Sequence, residues 1–360
     1  MLKQDRVERV LQKLREMNVD QMVITDPMAI FYLTGRMVWA GERFLAMMIG
    51  QDTRPVIFLN ELFNVTEDLG LEQVYYTDTD PVMPLFDGRI GEGAVLGVDK
   101  AMETRFLLPL INSGKASKVV NSSIAVDRTR AIKDAAEIAS MKKASKANDL
   151  ALAEFKKLLH EGVTEKEVAA QTMAIYKSFG ATGYSFPPIV SFGINSTDPH
   201  HMPDDTPLKE GDLVLFDVGC VVEDYCSDMT RTYFYKKEPN ADQRRVYELV
   251  LRANMEAEAM LKPGIVIADI DKKARDIITE GGFGKFFTHR LGHFIGLQDH
   301  EFGDVSLANQ SLTEPGNIFS IEPGIYDPAT AGIRIEDLVL ITEDGYENLN
   351  AQPKELEVIE

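Results

Sequence analysis

Three carboxylates stand where their neighbours call for apolar side chains, and a fourth carboxylate and one imidazole complete a set that could hold metal. Asp217 interrupts the run LVLFDV (213–218), Glu322 sits within NIFSIEPGIY, and Glu336 within GIRIEDLVLI. An ionised carboxylate in such a run is costly unless a cation or hydrogen-bond donors meet it. Asp228 follows Asp217 by eleven residues, on the return strand of GDLVLFDVGCVVEDYCSDMTRTYFY (211–235). Reversal near Val222-Glu223 places the two aspartates directly opposite, on one face of the hairpin. Adjacent anions need positive charge to offset their repulsion. The blander reading is a pair of solvated strand carboxylates. The turn lacks Asn-Gly or Asp-Gly, which points to a bulge or longer loop. For Glu336 the blander reading is an ion pair with Arg334, which shares its strand parity; Glu322 has no such neighbour.

The imidazole comes from six histidines that are unevenly spread. His160 stands apart, His200 and His201 are adjacent, and His289, His293 and His300 fall in LGHFIGLQDHE (291–301) and its approach. Clustering beside carboxylates favours metal or acid–base chemistry over scattered core histidines. Oxygen-rich donors with one nitrogen and no thiolate suit Mn²⁺, Co²⁺, Fe²⁺ or Zn²⁺. Four acidic ligands outweigh one divalent ion. Two ions bridged by shared carboxylates, about 3.5 Å apart, balance them better, activate a water as nucleophile and polarise a carbonyl.

The elements that must hold these residues follow from periodicity. Apolar spacing at Val7, Val10, Leu11, Leu14 and Met17 predicts a helix over 3–18. Strand-like runs at 21–26, 54–60 and 94–100, with a helix near 102–114, predict a small α/β domain over 1–125. It carries no glycine-rich phosphate loop. From Asp134 a long helix runs to about Leu159, and a Thr164–Glu167 capping box opens a second that stops at Gly180. Helices over 241–261 and 268–281 repeat the arrangement. Leu-His-Glu-Gly-Val-Thr (159–164) aligns with Leu-Lys-Pro-Gly-Ile-Val (261–266). This weak internal repeat predicts two related α+β halves within residues 126–360.

A formal net charge of -19 argues against nucleic acid and against an anionic membrane surface as partners. No apolar run approaches the length of a membrane span. The charged N-terminal stretch lacks a signal peptide's apolar region, and Cys220 and Cys226 are the only cysteines, which fits a reducing, cytosolic setting.

The order and spacing of SFPPIVSFGINSTDPHH (185–201), LVLFDVG with SDMTRT (213–219 and 227–232), LGHFIGLQDHE, IEPGIY (321–326) and IRIED (333–337) resemble the "pita-bread" metallopeptidases. That family contains methionine aminopeptidases, aminopeptidase P and prolidases. The resemblance covers the C-terminal half, and the N-terminal domain looks like that of prolidase and creatinase-type members. It implies a pita-bread domain with pseudo-twofold halves behind a smaller α/β domain. It further implies two divalent ions, Mn²⁺ foremost, with Co²⁺, Zn²⁺ or Fe²⁺ as alternatives. By the same resemblance Asp217 would chelate one ion, Asp228 and Glu336 would bridge, and His293 and Glu322 would bind the second. Glu322 would also shuttle the proton, while His200 and His300 would contact substrate. His201 has no assigned role. Arg334 would orient Glu336 or bind a substrate carboxylate.

Among these relatives, the extra domain speaks against methionine aminopeptidase. The five ligands speak against the metal-free creatinase and chaperone relatives, and so against a peptide-binding scaffold. The expected activity is Xaa-Pro dipeptidase, with Xaa-Pro aminopeptidase on longer peptides as the alternative. Two departures stand out. No Arg or Lys occurs between Glu301 and Ile333, where prolidases often place a carboxylate-binding Arg, which leaves Arg334, Arg290, a histidine or a partner-subunit loop. Phe294 replaces the usual Gly after the ligand His293. The resemblance also implies a homodimer, in which Trp39 or Arg43 could reach the partner's site.

Overall fold

Amphipathic spacing at the N-terminus is realised as the helix Gln4–Glu16, which buries Val7, Val10 and Leu14. The computed structural model describes residues 1–360, and the chain divides into two compact units, Met1–Arg130 and Ala131–Glu360. The boundary read from sequence, after residue 125, falls inside the helix Ser123–Ala131, most of which belongs to the first unit.

The first unit is built on one six-stranded sheet. Its strands run in the order Glu72–Tyr76, Thr53–Asn60, Ala46–Gly50, Gln21–Ile24, Val95–Val98 and Lys118–Asn121. Ala46–Gly50 is antiparallel to both neighbours and the other pairings are parallel. Every residue of Gln21–Ile24 is buried, as a central strand with covered faces requires.

Within the second unit the architecture occurs twice. The helices Ala135–Phe155 and Glu165–Ser178 share a core with the strands Ile189–Phe192, Leu213–Val218 and Met229–Tyr235, through Phe155, Tyr176, Val190 and Phe216. The helices Ala241–Glu258 and Ile267–Glu280 share another with Ile318–Ile321 and Asp337–Ile341, through Val250, Ile277, Phe319 and Val339. The aligned junctions adopt the same backbone. Gly162 and Gly264 take left-handed φ of 84° and 82°, and each donates its N–H to a later carbonyl, Leu208 or Thr313, at 2.8 Å. Thr164 then bridges Pro207, and Val266 bridges Leu312. What repeats in sequence is therefore a turn that only glycine adopts cheaply. Capping boxes on Asp134, Thr164 and Asn240 open three of the four helices.

The hairpin carrying the two aspartates corrects the expected register. Cys220–Val222 pairs with Tyr225–Cys226 around a two-residue turn, Glu223-Asp224, with φ of 50° and 70°. Positive φ at both positions matches the twist of the flanking strands, and here non-glycine residues adopt it. The turn thus lies one residue later than expected, with neither bulge nor long loop. Asp217 pairs with Thr230, so Asp228 is offset along the same face instead of directly opposed.

One buried ion network fastens this hairpin to the second half. Arg231 is 1% exposed. It donates to Asp337 Oδ1 at 2.6 Å, to the Glu336 carbonyl at 2.6 Å and to the Gln352 carbonyl at 2.8 Å. Lys354 pairs with Asp337 and Glu258, each at 2.7 Å. Burial alone would raise the Asp337 carboxyl, but Arg231 and Lys354 outweigh it and hold it down at about 2. A depressed carboxylate stabilises the fold above its ordinary pKa of 3.8, and the contribution is lost as pH falls toward 2. Removing one partner of a buried pair costs about 3–5 kcal/mol. Arg231→Ala is therefore expected to lose that much stability in urea melts at pH 7, with the deficit shrinking on acidification from pH 4 toward 2. A loss as small as an exposed pair's, under about 1 kcal/mol, would contradict this account.

Candidate metal centre

Asp217, Asp228, His293, Glu322, Glu336, His200, His300 and Arg334 all line one cavity of about 500 Å³ in the second unit. Four short strand arrangements deliver the five expected ligands. Asp217 leaves the buried strand Leu213–Val218, and Asp228 immediately precedes Met229–Tyr235. His293 ends the two-residue strand Gly292–His293. A Cβ on Gly292 would meet the Ser320 carbonyl oxygen at 1.9 Å, so only glycine lets this strand lie against Ile318–Ile321. Glu322 and Glu336 face each other in the gap between the pairs Ile321–Asp337 and Gly324–Arg334.

The ligand atoms are spaced for a shared cation. His293 Nε2 lies 3.5 Å from Asp228 Oδ2 and 3.6 Å from Glu322 Oε1, too long for good hydrogen bonds. Two donors each about 2.1 Å from one ion are about 3–3.4 Å apart, close to these separations. Donor atoms of Asp228, His293 and Glu336 all lie within 4.8 Å of one another. Buried Asp217 and Asp228 each keep one carboxylate oxygen, Oδ1, with no hydrogen-bond partner. Buried oxygens are normally satisfied, so unpartnered ones on carboxylates that line this cavity fit a site completed by cations.

The remaining oxygens are held by the protein. Thr230 donates its hydroxyl to Glu336 Oε2 at 2.6 Å and accepts from Arg334 Nε at 3.0 Å. Arg334 spends its other nitrogens on Asp217 Oδ2, at 2.6 Å, and the Tyr326 hydroxyl, at 2.7 Å. It therefore pairs with Asp217, not with Glu336, and no nitrogen of this buried guanidinium is left without a protein partner. Ser320 donates to Glu322 Oε1 at 3.1 Å. Burial, then mutual repulsion, pushes Asp228 and Glu336 well above the usual carboxylate range. Burial lifts Glu322 to about 7 against the pull of Arg334. The imidazoles move the other way, since burial penalises their cationic form. His293 is lowered, and His289 and His300 are pushed down to about 4.

Four of the six histidines reach the cavity: His200, His289, His293 and His300. His201 turns away to Glu165, at 2.7 Å. His289 meets the Tyr326 hydroxyl at 2.8 Å, extending the chain of contacts through Arg334 to Asp217. Phe294 does not enter the cavity. Its ring packs on Phe319, 5.3 Å between centroids, and over Gly303, where a Cβ would meet it at 2.6 Å. In the first unit, Arg43 is tied to Asp78 at 2.8 and 2.9 Å, whereas Trp39 is 88% exposed. Arg290, one of the groups expected to meet a substrate carboxylate, lines the cavity, partly buried and free of ion pairs or side-chain hydrogen bonds. Asp299, which the sequence did not single out, lies among the imidazoles. Asp299 stands next to His300 in a loop, not in an apolar strand, so the signal that flagged the other carboxylates was absent.

A two-half α+β unit whose cavity gathers carboxylates and imidazoles around unsatisfied oxygens defines a metal-dependent hydrolase. The model of metallopeptidase family M24 matches residues 139–343, and that of the creatinase/prolidase N-terminal domain matches residues 6–132. The chain belongs to metallopeptidase family M24, and it is a metallopeptidase. It is 37% identical to an uncharacterized peptidase of Staphylococcus saprophyticus, over 97% of this chain and 100% of that one. Among solved structures it is similar to a prolidase from Thermococcus sibiricus (30% identity, 99% of each chain, TM-score 0.91). It is also similar to a dipeptidase from Mycobacterium ulcerans (32% identity, 99% of this chain and 97% of that one, TM-score 0.92).

A ligand that binds only the folded state adds about 2.7 kcal/mol at a hundredfold excess over its Kd. Mn²⁺ added to chelator-treated protein is expected to raise Tm by several degrees, and the Asp228→Ala variant to show little of that rise. Equal shifts in both proteins would place the stabilising ion elsewhere.

Proposed function

We propose that this metallopeptidase hydrolyses the peptide bond preceding proline in Xaa-Pro dipeptides, using two divalent ions, Mn²⁺ foremost. The observation that carries this reading is the convergence of Asp217, Asp228, His293, Glu322 and Glu336 on one cavity. Similarity to a prolidase and a dipeptidase over nearly the whole chain supports the dipeptide substrate.

When bound, a pair of divalent ions supplies an activated water and a Lewis acid for the scissile carbonyl. The chain's own groups do the rest. Glu322, 15% exposed and steadied by Ser320, takes the water's proton and returns it to the departing proline nitrogen. His300, uncharged at neutral pH because burial lowers it to about 4, offers an N–H to the substrate carbonyl without adding cationic charge. His200 faces the same space, and Phe186 and Ile189 supply an apolar wall suited to a pyrrolidine ring. Arg334 is spent on Asp217, so Arg290 is the guanidinium left for the free carboxylate of the proline.

Two buried, unpaired cysteines and the acidic composition support a cytosolic setting. Exposed Trp39 is a side chain that a second copy in a homodimer would cover.

Leu-Pro is expected to be cleaved in preference to Leu-Pro-Pro by the Mn²⁺-loaded protein. Arg290→Ala should raise KM for Leu-Pro by about 10–100-fold, as loss of a charge-assisted contact does, with kcat changing less. Clear preference for the tripeptide would favour the aminopeptidase reading. Glu322→Ala is expected to lower kcat by at least about 10²-fold while the circular dichroism spectrum stays unchanged. Near-normal turnover would remove Glu322 from the proton path.

A further inference from the structure

Asp299 is a carboxylate that the five-ligand scheme does not use. It lines the metal cavity, and its Oδ1 is buried with no hydrogen-bond partner. Donor atoms of His293, Asp299 and His300 lie within 4.8 Å of one another. No lysine or arginine pairs with Asp299; its one ion-pair contact is His300 Nε2 at 3.5 Å. The Asp228 carboxyl lies within hydrogen-bonding reach of it, so two acidic groups share one space. Asp228 is itself nine-tenths buried and also keeps an unpartnered oxygen. Carboxylates this close, with open oxygens turned to one space, are relieved of their repulsion by a cation between them.

The loop does not let Asp299 swing away. Glu301 Oε1 accepts from the Leu297 N–H at 2.9 Å, and Glu301 Oε2 is fixed by Lys133 at 3.3 Å. Upstream, the Gly296 carbonyl accepts from the Cys226 N–H at 2.8 Å, which ties the loop to the residues just before Asp228. Downstream, the Glu301 N–H returns to the Phe294 carbonyl at 2.8 Å, closing the loop on His293's neighbour. The carboxylate is set in place before any ion arrives.

Charge favours the same conclusion. Asp217, Asp228, Glu322, Glu336 and Asp299 face only Arg334 and Arg290, so the cavity wall carries a negative excess that two divalent ions offset better than one.

We propose that Asp299 is a sixth protein ligand of the metal centre, coordinating the ion on the His293 side. This inference rests on the dinuclear reading above. It deepens that reading by giving the centre five carboxylates, a donor set that suits ions of high coordination number such as Mn²⁺ over four-coordinate Zn²⁺.

The test is calorimetric titration of Mn²⁺ into the chelator-treated full chain, for wild type, Asp299→Ala and the near-isosteric Asp299→Asn. Thermal melts of the metal-free proteins check that each is folded. Wild type is expected to take up two ions. Each variant should bind one of them about 10–100-fold more weakly and leave the other near its wild-type affinity. In the Mn²⁺ spin-resonance spectrum at limiting metal, the signal of an exchange-coupled pair should give way to that of an isolated ion. Isotherms and spectra of both variants that superimpose on wild type overturn the proposal and leave the metallopeptidase reading intact. A wild-type chain that takes up no Mn²⁺ overturns both.

Discussion

Like charges on buried side chains crowd the wall of one cavity, and their repulsion grows as screening by solvent fails. Burial and neighbouring carboxylates together lift Asp228 and Glu336 far from their ordinary pKa values. A fold that concentrates negative charge in this way must supply compensation at fixed places. Arg334 takes one oxygen of Asp217, Thr230 takes one of Glu336, and Ser320 takes one of Glu322. These partners come from strands, whose positions are set by the ladder and not by side-chain flexibility. The Arg231–Asp337–Lys354 network lies one residue along from Thr230 and Glu336, and it locks the ladder itself. Sequence neighbours thus divide the labour: alternation puts Thr230 and Glu336 on the cavity side, while Arg231 and Asp337 are drawn into the protein.

Much of this was legible in the sequence because a charge inside an apolar strand announces itself. Asp217, Glu322 and Glu336 each break a run that would otherwise be uniformly buried, and all three reach the cavity. The helix pairs were legible through their capping boxes and the Gly162 and Gly264 turns. What sequence did not yield was register. A left-handed Glu223-Asp224 turn has no strong residue signature, and a shift of one residue in the turn moved the partner of Asp217 from Asp228 to Thr230.

Loop residues were illegible for a related reason. Asp299 lies in no periodic segment, so nothing in its surroundings marks it as inward-facing. The direction of Phe294 depended on Phe319 and Gly303, which are distant from it in the chain or across a loop. Arg334 could be placed beside the site, but its choice of Asp217 over Glu336 was decided by the offset of two hairpins. Side-chain identity carried the chemistry, and tertiary geometry decided the pairings.

The two-core construction of the second unit has a consequence for how the chain acquires its activity. Asp217 and Asp228 belong to the half centred on Phe155 and Phe216, whereas His293, Glu322 and Glu336 belong to the half centred on Val250 and Phe319. The earlier half presents only the two aspartates, and the later half presents the imidazole and both glutamates but neither aspartate. The earlier half in the chain thus carries a pair of aspartates whose charge the later half must meet. All five side chains therefore share one cavity only once the two halves have docked, so the site is a product of the whole unit and of neither half.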